Sequence, residues 1–499
     1  MPIYSPPPQH PALSAADPGL LEAVALGAAR LTPEQGLQLL TSAPLHSLGR
    51  WADARCRALH GDALRTYVID RNINYTNVCS AKCTFCAFRR DAGDHDAYTL
   101  SEHAIHEKIA QLVAIGGTQI LMQGGMNPDL PLEWYLDLLA GIKRRFPGVH
   151  IHAFSPPEFI EFVHFFDPPG DTLEDKIRWV MVRLRDAGLD SVPGGGGEIF
   201  APAVRRKIGL GKCDADAWLT VMYVAHTLGM FTSATMMFGH IEGYADRMHH
   251  LHLVRQWQDR ALTAPQSGAP TGHYVSFITW PFQRENTPLG RVKDWGARPE
   301  DLAPGSAFPG DVVATLDGTG LDGSGDPRSH PDFGRRVRMA GATAYLRTQA
   351  VARLFLDNIY SMGASWVTMG PHIGQVALAY GASDMGSVMM EENVVSSAGT
   401  TYCLDEAVLC RLIRGAGFTP AQRNNTYDII RAHPADRGPH GVGAPDLAVS
   451  DWSTHRARRL HIQTSAAAER APAASVAPAA LVQVGIDADS APKARSPRA

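Results

Sequence analysis

From Arg65 onward the sequence alternates, and that alternation constrains the fold more than any other feature. A short β-rich apolar run is followed by a longer run with helical periodicity, and the pair recurs eight times. The strand-like runs are 66–76, 118–125, 149–158, 189–198, 231–240, 273–283, 364–370 and 385–393. Helical runs such as SEHAIHEKIAQLVAIGG (101–117) and LEWYLDLLAGIKRRF (132–146) stand between them. Strands joined through helices lie parallel, whereas hairpins join antiparallel neighbours through short turns. Eight such units over roughly 350 residues predict a closed (βα)8 barrel of the TIM type, in the α/β class.

The flanks do not share this rhythm. Residues 1–18 are Pro-rich and are expected to be flexible. Residues 19–64 read as helices, one of them entered at Thr32-Pro33. The barrel is expected over 65–432. It is interrupted at 284–340 by a Gly-, Pro- and Asp-rich stretch that reads as a surface insertion or a lid. Residues 433–499 form an Ala/Pro/Ser-rich tail of the kind that stays disordered.

Charge and cysteine usage narrow the function. The formal net charge is −4, and no block of Lys and Arg marks a nucleic-acid or membrane partner, so a small-molecule substrate is expected. Seven cysteines in 499 residues, an odd number, do not make a disulfide framework. The N-terminus lacks a basic stretch followed by an apolar one, and no apolar run is long enough to span a bilayer. The expected setting is cytoplasmic.

Three of the seven cysteines fall within CSAKCTFC (79–86), spaced C-x3-C-x2-C, and the next is Cys213. The motif follows the first strand, which places it at the C-terminal mouth of a barrel, where active sites form. Thiolates in a tight loop bind zinc or an iron–sulfur cluster. A structural zinc needs a fourth ligand, for which His95 and His103 are the local candidates. Three cysteines on a four-iron cluster instead leave one iron open to another ligand.

This motif resembles that of the radical S-adenosylmethionine (radical SAM) superfamily. The resemblance extends through NYTNVC, GGTQILMQGGMNPDLPLEWY, IHAFSPPE, GLDSVPGGGGEI, ATMMFGH, WPFQ and EENVV, over about 66–427. Within the superfamily these runs are similar to the dehypoxanthine futalosine cyclase family of menaquinone biosynthesis. The resemblance implies a [4Fe-4S] cluster and S-adenosylmethionine as cofactors, and an electron donor such as flavodoxin or ferredoxin. It implies a 5′-deoxyadenosyl radical that takes hydrogen from the ribose C4′ of dehypoxanthine futalosine, followed by carbon–carbon bond formation to the benzoate ring. Sibling activities are aminofutalosine synthase and the subunits that make a deazaflavin chromophore. A zinc-stabilised binding protein is the non-enzyme alternative.

The same resemblance assigns residues. Cys79, Cys83 and Cys86 ligate the cluster, and Phe85 packs near the adenine of S-adenosylmethionine. Gln123, Gly124 and Gly125 end the second strand as the Gly-rich turn beneath the methionine moiety, without the glutamate usual there. Ser155 faces cofactor or substrate, and Glu158 is a polar contact or a helix N-terminal charge. PGGGGE (193–198) offers backbone N–H groups to ligand oxygens. Glu198 contacts S-adenosylmethionine, and Arg205 meets its carboxylate. His240 is either structural or functional. Gln283, Glu285, Asn286, Glu391, Glu392 and Asn393 are candidates for the substrate's hydroxyls and carboxylate. His249, His250 and His252 are expected on a solvated helix face.

Overall fold

The computed structural model describes residues 18–263, 272–291, 340–400 and 402–434. The stretch before Pro18, residues 292–339 of the expected insertion and residues 435–499 of the expected tail lie outside the described residues. Three helices lead in: α1 (Pro18–Ala25), α2 (Pro33–Ser42) and α3 (Leu45–His60). α2 begins where Thr32 and Gln35 exchange side-chain bonds with each other's backbone N–H, with Pro33 at the first helical position.

The strands follow as β1 (Leu64–Val68), β2 (Asp70–Ile73), β3 (Gln119–Met122), β4 (His150–Ala153), β5 (Thr232–Phe238), β6 (Tyr274–Pro281), β7 (Ser361–Gly363), β8 (Asp384–Ser387), β9 (Thr419–Arg423) and β10 (Ile429–Ala432). The helices between them are α4 (Glu102–Ala114), α5 (Leu132–Arg145), α6 (Pro156–Phe166), α7 (Leu173–Ala187), α8 (Pro202–Ile208), α9 (Ala215–Thr227) and α10 (Tyr244–Thr263). The later ones are α11 (Ala342–Phe355), α12 (Trp366–Met369), α13 (Pro371–Ala377), α14 (Val394–Ser397) and α15 (Glu406–Gly415).

β1 and β2 are one run of chain broken only at Ile69. Its first half pairs in parallel with β8 and its second half with β3. β3 pairs with β4, and β5, β6, β7 and β8 follow one another in parallel. Single parallel pairings, His152 to Ser191 and Val192 to Thr232, join β4 to β5. The ring therefore closes with eight strand positions, the predicted barrel. The fourth position is reduced to Ser191 and Val192 because Pro193 has no N–H for the ladder.

Three readings of the chain are corrected. The seventh strand is β7, three residues upstream of the expected 364–370, and ASWVTMG instead forms α12. Trp, Val and Thr favour strands, but after Ala364 donates to Asp384 the chain leaves the sheet, and Ser365 and Thr368 bond to each other across a helical turn. His250, expected in solvent, is buried and stacked on Phe200 with ring centroids 4.0 Å apart. The third correction is β9, which pairs in parallel along β1 from Leu64–Thr419 to Tyr67–Gln422, with β10 antiparallel beyond it.

Past β9 the chain crosses the floor of the barrel. Arg423 forks onto both oxygens of Asp384 at 2.6 and 2.9 Å. Asn425 donates to Ser191 Oγ at 3.0 Å, and Tyr427 packs edge-on against Tyr360. Arg423, Asn425 and Tyr427 all line the cavity inside the ring.

Candidate active site

That cavity has a volume of about 470 Å³, within the usual range of small-molecule sites. Its walls come from β1 to β8 and the loops beyond them, and all three cysteines of the motif lie on it. The cysteine loop is held from several sides by backbone bonds. Cys79 N–H donates to Arg90, Ser80 to Met126, Lys82 to Leu210 and Thr84 to Ile208, while Leu289 donates to Thr84. A loop so pinned presents its sulfurs without help from its own secondary structure.

Cys83 is buried; Cys79 and Cys86 are partly so. Burial pushes the Cys79 thiol up and that of Cys83 to about 12, against the pull of Lys212 on Cys83. Without a metal those two sulfurs are protonated at neutral pH, and binding a metal releases the protons. Among the described residues no three His, Cys, Asp or Glu side chains converge closely enough to hold a single metal ion. A cubane cluster places each thiolate on its own iron and so needs wider spacing than one ion does. His95 is 96% exposed beside Asp96, and His103 pairs with Glu107; neither lines the cavity.

The glycines explain how the walls approach one another. A Cβ on Gly125 would lie 2.0 Å from the Val78 carbonyl oxygen and 3.0 Å from Cys79 Cβ. Only glycine lets the end of β3 rest against the start of the cysteine loop. A Cβ on Gly195 would meet Gln123 Nε2 at 2.2 Å, so the glycine run packs directly on the QGG turn.

Glu158 sits fully buried below that turn. It accepts from Tyr75 Oη at 2.7 Å, Gly124 N at 3.2 Å, Ser155 N at 2.7 Å and Ser155 Oγ at 2.6 Å. The turn lacks its own glutamate, and Glu158 brings a carboxylate to Gly124 from the end of the next strand. Burial raises the Glu158 pKa, and the four donors oppose that rise. Ser155 and Glu158 do line the cavity, but their hydrogen bonds serve the helix cap and the turn.

Glu198 has a left-handed backbone, φ +43°. Its Oε1 pairs with Lys212 Nζ at 3.0 Å, while its Oε2 is buried without a hydrogen-bond partner among the described residues. Arg205 is a correction. It does not line the cavity; it donates to the carbonyls of Gly196 (3.0 Å), Gly197 (2.8 Å) and Cys213 (2.8 Å). Those bonds spend its fork on holding the glycine loop in shape.

The substrate candidates divide. Glu392 lines the cavity and accepts from Asn72 Nδ2 at 2.8 Å and from the Val395 N–H. Glu391 is behind the wall, clamped by Arg71 and Lys108, which hold its carboxyl below the usual range although burial works the other way. Asn393 donates to Asn74 and Glu391. His240 is wholly buried, with Nδ1 accepting from Ile241 N–H at 2.8 Å. Gln283 donates to the Pro281 carbonyl, Glu285 pairs with Arg284 and Asn286 donates to Ser397. None of Glu391, Asn393, His240, Gln283, Glu285 and Asn286 lines the cavity. Lys212, Asp70, Asn72, Asn74, Trp366 and Arg423 do, and apart from Asn74 in NYTNVC no motif quoted above marks them.

Three thiols on one cavity, glycine-thin walls and an unpaired carboxylate oxygen fit a cluster with an amine-bearing ligand beside it. Comparison with known proteins agrees. The model of the radical SAM superfamily matches residues 73–254, and that of the CofH/MqnC C-terminal region matches 334–436. A protein of Halalkalibacterium halodurans named cyclic dehypoxanthine futalosine synthase is 37% identical, over 83% of this chain and 95% of its own length. The protein of that name from Streptomyces coelicolor is 37% identical over 83% and 89%. A Methanopyrus kandleri protein named 5-amino-6-(D-ribitylamino)uracil–L-tyrosine 4-hydroxyphenyl transferase is 34% identical over 74% and 85%. Among solved structures, methylornithine synthase (PylB) superposes with a TM-score of 0.53 at 16% identity, over 81% of this chain and 97% of that one. Site, sequence and fold agree, and the chain belongs to the radical SAM superfamily, with a [4Fe-4S] cluster and S-adenosylmethionine as its cofactors.

Proposed function

We propose that the chain converts dehypoxanthine futalosine to its cyclic form, a step of the futalosine route to menaquinone. The observation that carries this reading is 37% identity to two proteins named for that reaction, along nearly their whole length. Cys79, Cys83 and Cys86 hold the cluster. When bound, cluster and S-adenosylmethionine together supply a 5′-deoxyadenosyl radical able to remove hydrogen from an unactivated carbon. Glu198 Oε2 would accept from the amine of S-adenosylmethionine, and Gly125 and the 194–197 run would let backbone lie close to it.

The chain's further task is positioning. Asp70, Asn72, Asn74 and Glu392 form a polar wall for the ribose hydroxyls, and the apolar face of Trp366 stands opposite a ring. The C4′ hydrogen atom would pass to the 5′-deoxyadenosyl radical, giving 5′-deoxyadenosine; C4′ would bond to a ring carbon, whose hydrogen would leave as a proton while its electron returned to the oxidised cluster. Holding those two carbons at contact distance supplies most of what such a ring closure needs. The segment 423–427 closes the floor against water. A low-potential donor such as flavodoxin or ferredoxin supplies electrons. Among the described residues no helix is long and apolar enough to cross a membrane.

The 34% relative named as a transferase favours a second reading, a sibling radical reaction on another substrate. One anaerobic assay separates the two. Protein reconstituted with iron and sulfide is given dithionite, S-adenosylmethionine and dehypoxanthine futalosine, and products are followed by mass spectrometry. Cyclised product with 5′-deoxyadenosine is expected. Deoxyadenosine without cyclised product would favour the sibling, and zinc in place of a cluster would end both readings.

A further inference from the structure

Lys212 lies on the cavity wall, yet nothing in the motif pattern singles it out. It sits in the loop Gly209–Cys213, after α8, and its side chain is 16% exposed. The loop is zipped to the cysteine loop by two backbone bonds of 2.8 Å, Lys82 N–H to the Leu210 carbonyl and Thr84 N–H to the Ile208 carbonyl. Gly211 packs where a Cβ would stand 3.3 Å from Ala81 Cα. The Lys212 ammonium therefore has a fixed place relative to the thiols. It lies 4.9 Å from the centroid of Phe85, the residue just before Cys86, and 3.0 Å from Glu198 Oε1.

Burial alone would strip a lysine of its charge. Here the Glu198 carboxylate, 3.0 Å away, offsets that cost and holds the ammonium charged. Arg205 clamps the carbonyls on both sides of the pair, at Gly196, Gly197 and Cys213, so neither partner swings away readily.

We propose that Lys212 is a positioning residue that sets the reduction potential of the cluster held by Cys79, Cys83 and Cys86. A cluster carried by three thiolates gains one further negative charge when one electron enters from a low-potential donor, without a proton. A buried cation beside it favours that more negative state, and little solvent intervenes to screen it. Glu198 acts in the opposite sense, and the pair leaves the site close to neutral. The inference rests on the cluster reading and not on the identity of the substrate.

The test is an anaerobic potentiometric titration followed by electron paramagnetic resonance, without S-adenosylmethionine or substrate, on protein whose iron and sulfide are measured first. Lys212→Met is expected to lose at least tenfold in the equilibrium for reduction, a midpoint about 59 mV lower. Lys212→Arg should stay near the wild type. Glu198→Gln should move the midpoint up, and the double variant should return toward the parent value. Should Lys212→Met fail to retain a cluster, Glu198→Gln reads the same pair from its other side. A loaded Lys212→Met or Glu198→Gln with the parent midpoint overturns the proposal and leaves the cyclase reading untouched. A wild-type protein that takes up no cluster overturns both.

Discussion

Gly125 shows how little room the site leaves at the scale of single residues. Its missing side chain lets β3 end against Val78 and Cys79. Gly125→Ala is expected to destabilise the protein by about 1–3 kcal/mol, as overpacking does, and to displace the first ligand. Thermal unfolding and iron content of the reconstituted protein check both effects. Cys83→Ala makes the complementary case: iron content should fall sharply while the fold survives, because a small apolar residue suits that buried position. Far-ultraviolet circular dichroism alongside iron analysis separates the two outcomes. The cysteines were legible in the sequence because all three ligands fall in one short loop. Lys212, Asn72 and Arg423 were not, because each reaches the cavity from a different part of the chain. Arg205 misled because an arginine near a glycine run has the same chemistry whether it meets a ligand or the run's own carbonyls.

At the scale of elements, the strongest claim concerns β9 and its link to β8. Arg423 and Asp384 form a buried bidentate pair, with side chains 7% and 1% exposed. Removing one partner leaves the other buried and unpaired, which commonly costs about 3–5 kcal/mol. Arg423→Met should therefore destabilise by that amount in urea unfolding, and adding Asp384→Leu should recover much of it. Equal destabilisation in the double variant would show that the pair matters through packing alone. Strands with longer runs of apolar and β-prone residues, such as β5 and β6, were readable directly. The fourth position was placed at 189–198 but its length was not readable, and the seventh was misplaced, since two or three residues of ladder carry no periodicity. β9 was missed because TPAQR has neither alternation nor apolar bias; its place is set by the side of β1 that it covers.

For the whole molecule, acid sensitivity follows from histidines buried as neutral rings. Burial, with His273 nearby, lowers His226 to about 3, and burial, with Arg205 nearby, lowers His250 to about 3. In the unfolded chain both bind a proton near pH 6.5. Below that pH the unfolded state holds more protons, so stability is present above pH 6.5 and lost as pH falls toward 3. Each ring contributes up to about 1.4 kcal/mol per pH unit in that window, so the pair contributes roughly 3 kcal/mol per unit. Unfolding free energies measured between pH 4 and 6 should fall with acid at least this steeply and level off above pH 7, and His250→Phe, which keeps the stack on Phe200, should remove about 1.4 kcal/mol per unit of it. The barrel as a whole was visible in the sequence because its repeat is long and its helices are amphipathic. The closed floor was not.

That floor has a bearing on how the protein comes to exist. The first strand of the barrel waits for a partner, β9, that lies near the other end of the described chain, Leu64 beside Thr419. During synthesis the thiol loop and its QGG turn emerge early, yet the ring above which they sit stays unsealed until residues 419–427 have left the ribosome. Contacts so far apart in sequence form slowly. The nascent protein therefore passes through a long open interval, with the cavity reachable from below as well as from its mouth, and a segment made roughly 330 residues after the thiol loop is the one that ends it.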